Sequence, residues 1–377
     1  MSQDELSKAT CLTPAAAFGD VSRGDPVPHT LTGDALRAAR LTPDTWRLEI
    51  VAEERVELQH PRTLETGTAI DLTTLMQLGR THGVRFLKAM QCLNIARPLG
   101  QGLWEGVPLR AVLKLAGHFA NARRIYYWGF HNNDPKQVFQ SSLSYSQVME
   151  APPGELPPFV AYHLNGQPLS LQRGGPVRMI VPWAHGFKSI KWLQRIVLTN
   201  DYRANDTYAL KNNDPESYLK TAAYIEENLR PFETGKPIVI RGSVISGWSG
   251  LRRVEYWLRP DTGLHGTLAD DDPAWNQATW LSCQIEPQPA DWPSVLPAGV
   301  RPADVWGFDP ATGRAVAWPM RYGIANWSVS LDGLAPGMYE FRARAVDLNG
   351  YAQPEPRSNR ISGRNGVEVR MIEVRTQ

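Results

Sequence analysis

Val84-Arg-Phe-Leu-Lys-Ala-Met-Gln-Cys92-Leu-Asn-Ile-Ala-Arg97 is followed by Trp104-Glu-Gly-Val-Pro-Leu-Arg-Ala-Val-Leu113, and the rest of the chain reads outward from these two runs. The mixture of apolar and basic residues up to Cys92 predicts a strand, Asn94 falls in a turn, and Leu109, Val112, Leu113 and Ala116 recur at helical spacing. The thiol therefore stands where a strand stops, a place where loops gather around clefts. There a thiolate is a soft, polarisable ligand for a heavy transition metal, and Arg97 is near enough in sequence to hold an anion. Equally, a cysteine among apolar residues is an ordinary inert core thiol, and residue type alone does not separate the two.

A chain of 377 residues exceeds one ordinary hydrophobic core, which predicts two domains. Lys and Arg total 40 against 38 Asp and Glu, a net charge of +2, so no general nucleic-acid footprint is present and any functional positive charge is local. Cys11, Cys92 and Cys283 are widely separated, which excludes a cysteine-only metal cage or a disulfide framework. The first residues carry neither an apolar signal run nor paired arginines, and no later stretch has the apolar length of a membrane span. On that reading the location is cytoplasmic, or periplasmic if an export signal has been removed.

Ser22-Arg23-Gly-Asp25-Pro-Val-Pro28 is a constrained turn with one arginine, open to reading as a solvated loop. Strands are expected at Trp46–Ile50, Ile125–Gly129, Phe159–Asn165 and Pro176–Pro182, with a short helix from Ile70. His185-Gly-Phe-Lys188-Ser189-Ile-Lys191 offers donors to a phosphate, or is a charged surface turn. From Asn205 to Gly235 the polar composition marks a connection. Beyond it Pro237–Ile240, Val254–Leu258 and Tyr339–Val346 alternate at period two and predict a β-sandwich.

Several segments together resemble the sulfite oxidase family of molybdenum enzymes. They are Met90-Gln-Cys92 with Asn94 and Arg97, Trp104-x-Gly106-Val-x-Leu, Ala161-Tyr162-x-x-Asn165-Gly166-x-Pro-Leu169, Gly175-Pro-Val-Arg178, and Gly186-x-Lys188-Ser-Ile-Lys191-Trp-Leu. Gly247-Trp248-Ser-Gly250 and Arg344-Ala-Val-Asp347 follow in the family's order, so the likeness runs from about residue 85 to about residue 350. It implies an α+β fold: a molybdopterin-binding catalytic domain over residues 1–230, then an immunoglobulin-like β-sandwich dimerisation domain over 231–377. It also implies a molybdenum–molybdopterin cofactor in which Cys92 is the protein's metal ligand and Lys188, Ser189 and Lys191 bind the pterin or its phosphate.

The same resemblance implies that a small anionic sulfur substrate is held by Arg97, Arg23, Tyr162 and Trp104, with Arg252 in the shortened loop after Trp248-Ser-Gly. The chain departs from the family in having Ala96-Arg97 for paired arginines and Arg23-Gly-Asp25 in the N-terminal loop. Asp25 repels a dianion unless it points away. The expected activity is oxygen-atom transfer oxidising sulfite or a related oxyanion. With no CxxCH haem-attachment motif, electrons are expected to pass to a separate acceptor such as a cytochrome. The rivals are reduction of an S- or N-oxide at the same centre, since Val181–Lys191 also resembles the methionine-sulfoxide reductase branch, and a non-catalytic binding protein in which Cys92 is structural.

Overall fold

The computed structural model describes residues 11–92, 95–207, 216–226, 229, 231–261, 268–269, 272–354 and 365–376. Strands dominate, and the longest helix among the described residues is the eleven-residue Leu72–His82, capped by Asp71, whose carboxylate accepts from the Thr74 amide at 2.8 Å. No helix of the described residues is long and apolar enough to cross a membrane.

The first part of the chain carries β1 (Arg47–Ala52), β2 (Glu57–Leu58), β3 (Ile70–Asp71), β4 (Val84–Met90), β5 (Gly100–Pro108), β6 (Phe119–Ala120), β7 (Arg124–Gly129), β8 (Gln140–Ser144), β9 (Phe159–Leu164), β10 (Gln167–Pro168), β11 (Arg178–Ile180) and β12 (Leu193–Thr199). One five-stranded sheet runs β3-β1-β12-β7-β8, with β1 parallel to β12 and its other pairs antiparallel. A second, antiparallel sheet runs β10-β9-β5-β4, with β11 also on β9. Trp46, Leu48, Ile50, Ile125, Ile196 and Leu198 from the first sheet share a core with Phe86, Val107, Val160 and Tyr162 from the second.

The second part carries β13 (Ala222–Ile225), β14 (Phe232–Glu233), β15 (Ile238–Ile245), β16 (Arg253–Pro260), β17 (Leu281–Ser282), β18 (Gln284–Ile285), β19 (Ile324–Leu331), β20 (Gly337–Val346) and β21 (Glu368–Arg375). They form sheets β13-β15-β19-β18 and β14-β21-β20-β16-β17. Ile240, Val244 and Trp327 from one face Val254, Phe341, Ala343 and Ile372 from the other, the alternation expected of a sandwich. Ala222–Ile225, a strand of the sandwich, pairs along its length with β15 and lies ahead of the expected boundary at 230/231, inside the stretch read as a connection.

Between β18 and β19 the chain leaves the sandwich and packs on the first domain. Trp292, Leu296, Val305, Phe308 and Met320 bury Cys11, Leu87 and Leu103. This matters for β4, which is the edge of its sheet and would otherwise present unpaired backbone groups. Trp306 donates its amide to Arg85 O at 2.8 Å, the Ala89 amide donates to Tyr322 O at 2.7 Å, and Tyr322 in turn donates to Ser246 O. Gln101, buried on β5, accepts from the Ile324 amide at 2.6 Å and donates to Cys11 O at 3.2 Å. Replacing Gln101 by Ala strands a buried amide at this junction, so about 2 kcal/mol of stability should be lost, seen as a lower urea midpoint; an unchanged midpoint would refute the junction's importance.

Candidate functional site

Cys92 lies two residues beyond the end of β4, half-buried, in a loop closed by the Leu99 amide donating to Met90 O at 2.7 Å. The Gln91 side chain straddles that loop, its Nε2 donating to Cys92 O at 3.0 Å and Ile95 O at 2.6 Å. Its backbone carbonyl accepts from the Gly186 amide at 2.7 Å, tying the loop to the segment from 186 to 192. Asn94, expected in this turn, lies outside the described residues. Cys11 and Cys283 are different: burial pushes both thiols up to about 12, and they are inert core residues.

Cys92 opens onto a cavity of about 230 Å³ whose wall also includes Arg23, Trp104, Arg173, Arg178, Ser189 and Lys191. Trp104 is fully buried and donates from Nε1 to Lys88 O at 3.3 Å. The Arg178 guanidinium lies 5.1 Å over its ring. Arg178 sits on β11 and donates to Arg173 O at 2.8 Å and Ser189 O at 2.6 Å. Its Nε is buried with no partner. Burial and then the neighbouring Arg173 charge push its pKa down, yet a guanidinium keeps its proton. Arg173 donates to Gly19 O at 2.8 Å and stacks on Phe18. Among the described residues neither arginine has a carboxylate within ion-pair distance, which suits this end of the cavity to an anion.

Lys191 anchors the N-terminal loop. Its Nζ donates to Asp20 Oδ1, Ser22 Oγ and Gln172 O, each at 2.7 Å. Burial and the Arg178 charge hold Lys191 down at about 8, with Asp20 opposing them. For Asp20 burial acts upward, but hydrogen bonds from Lys191 and Ser22 prevail and take it to about 2, so this pair is ionised at neutral pH. The anchored loop places Arg23 at the cavity, 4.7 Å over the Phe139 ring. Gly24 turns the chain there with φ +119°, and a Cβ would meet Pro28 Cδ at 2.9 Å. Asp25 is exposed and absent from the cavity wall, its amide donating to Gln137.

The structure brings together Cys92, Arg23, Trp104, Ser189 and Lys191, and leaves four expected residues elsewhere. Tyr162 points into the first-domain core, against Gly79 of the helix Leu72–His82, where burial raises its phenol to about 12. Arg97 donates from Nη2 to Ile225 O at 2.7 Å, across the domain junction. Arg252 is exposed just before β16. Lys188 is buried behind the cavity, donating to Ser142 O at 2.8 Å and to the fully buried Asp206 at 3.1 Å. None of these four is among the residues that line the cavity. The 185–191 segment is a buried turn that contributes Ser189 and Lys191, so the surface-turn reading is corrected.

Arg173 and Arg178 were missed. For Arg178 the available signal was a charge inside the apolar run Val177–Val181, since a guanidinium buried in a strand must find something to satisfy it.

Residues 35–207 match the family model for the oxidoreductase molybdopterin binding domain. Over this segment, which is somewhat less than half of the chain, the sequence is similar to the sulfite oxidase family of molybdenum-dependent oxidoreductases. The nitrate reductase [NAD(P)H] of Betula pendula is 32% identical over 139 residues, covering 34% of this chain and 15% of that protein. Mitochondrial sulfite oxidase of Homo sapiens is 26% identical over 179 residues, 45% of this chain and 32% of that one. The match thus spans a third or less of these relatives. The sulfane dehydrogenase SoxCD from Paracoccus pantotrophus shares the fold, with a TM-score of 0.60, 17% identity and coverage of 92% of this chain and 83% of that chain.

Molybdopterin, the family's cofactor, is an anionic dithiolene with a phosphate, and the cavity's donors fit it: one thiol for the metal and buried guanidiniums for the anion. Among the described residues no group of three or more His, Cys, Asp and Glu can hold a metal, so a metal held through Cys92 would need the cofactor's own sulfurs beside it. Arg178→Met should lower molybdenum per purified chain about tenfold or more, read by elemental analysis. Lys188→Met should instead cost about 3 kcal/mol of stability by stripping Asp206 of a buried cation, with molybdenum retained in the folded fraction. The reverse pattern would overturn both assignments.

Proposed function

We propose that the chain oxidises sulfite or a related sulfur oxyanion at a molybdenum centre held by Cys92, with electrons passed to a separate acceptor such as a cytochrome. The observation that carries this reading is one thiol opening on a cavity whose charged wall residues are cations, with the nearby carboxylates Asp20 and Asp25 absent from its wall. Bound there, the cofactor supplies two-electron oxygen-atom-transfer chemistry.

The chain's own groups do the positioning. Arg23, at the cavity and held flat by Phe139, offers a forked pair of donors to an entering oxyanion. Arg173 and Arg178 take the anionic end of the cofactor, and Lys191 fixes the loop that presents Arg23. Trp104, Phe130, Phe139 and Phe187 make the remaining wall apolar, which strengthens each of these charge interactions by excluding water. Two copies are proposed to pair through the sandwich at residues 231–377.

A second reading, reduction of nitrate or of an S- or N-oxide at the same centre, is favoured by the higher identity of the nitrate reductases, 32% for that of Betula pendula. Sulfite with an oxidised dye and nitrate or a sulfoxide with a reduced dye separate the two. Turnover in the first assay is expected, and turnover confined to the second would replace the proposal. In the first assay Cys92→Ser should be inactive while keeping the parent's circular dichroism; undiminished activity would remove Cys92 from the metal. Arg23→Gln should raise KM for sulfite about tenfold through loss of a charge-assisted contact, with molybdenum content unchanged, and an unaltered KM would leave Arg23 without a role.

A further inference from the structure

Lys88 is a charged residue in the middle of β4, and it is fully buried. Its Nζ donates to Ala89 O at 3.1 Å and Ala184 O at 3.2 Å, and among the described residues no carboxylate lies within ion-pair distance. A lysine so placed carries a desolvation cost that two neutral carbonyls do not offset. Burial, and then the like-signed field of Arg178, hold Lys88 down at about 7. Lys88 does not line the cavity. It lies immediately behind it, since its own carbonyl accepts from Trp104 and the Ala184 carbonyl it binds belongs to the bend that leads into Gly186.

A like-charge pair without a counter-ion lowers the stability of the folded protein, and a negative charge bound beside it would offset that cost. We propose that Lys88 is a positioning residue whose ammonium, together with Arg178, is balanced by the anionic cofactor, so that it stabilises the loaded protein and penalises the empty one. This rests on the cofactor occupying the cavity and is independent of which substrate is oxidised. The plain alternative is a cross-link in which Lys88 ties β4 to the 181–186 bend in both forms.

The two are separated by Lys88→Met, which keeps the stem and removes the charge, compared with the parent as full chain in cofactor-free and molybdenum-loaded forms, below pH 7 where Lys88 is charged. Lacking the cofactor, the variant should melt at or above the parent's temperature. In the loaded form it should melt lower, lose cofactor faster on dilution, and show a lower midpoint potential for the bound molybdenum, because a nearby cation favours the more reduced and more negative centre. Equal losses of melting temperature in both forms, or an unchanged potential, would establish the cross-link and overturn the proposal. So would a variant that cannot fold without cofactor. If the parent itself takes up no molybdenum, it is the cofactor assignment that fails, and this is seen before any variant is made.

Discussion

Buried positive charge without buried negative charge is the constraint around which this molecule is arranged. Lys88, Arg173 and Arg178 are all withdrawn from solvent, and among the described residues none of them has a carboxylate within ion-pair distance and the Arg178 Nε has no acceptor. Elsewhere the same fold pairs its buried ions: Lys188 has Asp206, and Arg342 has Glu340. The contrast is local, confined to one side of one cavity, and it explains why a chain of net charge +2 can serve an anionic cofactor without a broad basic surface.

The thiol facing those cations depends on the second domain as much as on the first. Strand β4 delivers Cys92, but β4 is a sheet edge whose outer backbone groups are taken up by Trp306 and Tyr322 from the excursion between β18 and β19. Gln101 adds a side-chain clamp from β5 to the start of β19. The sandwich therefore acts on the site by fixing the strand that ends at the cysteine. Loops of this kind are mobile unless held at both ends, and Gln91 holds this one at Cys92 and Ile95.

Much of the fold was legible in the sequence because its strands obey simple patterns. The period-two alternation of Tyr339–Val346 and the run ending at Cys92 both reappear as strands, and Leu109, Val112 and Leu113 all become buried on one short helix. The strand Ala222–Ile225 was not legible because its four residues, buried along their whole length, carry no alternation to recognise. For the site, position along the chain was readable but direction was not. Tyr162 and Ala161 are neighbours on β9 and face opposite sides of the sheet, and nothing in residue type says which side is the cavity. Arg97 and Lys188 were placed at the site by the family resemblance; in the structure Arg97 donates to Ile225 O and Lys188 pairs with Asp206.

That Cys92 is the protein's hold on the metal can be tested by counting sulfur neighbours. X-ray absorption at the molybdenum edge of the loaded parent and of Cys92→Ser reads the ligand shell without reference to any substrate. The account predicts one sulfur fewer around molybdenum in the variant. An identical sulfur shell in the two proteins would mean that Cys92 never touched the metal, and the cavity would need another explanation.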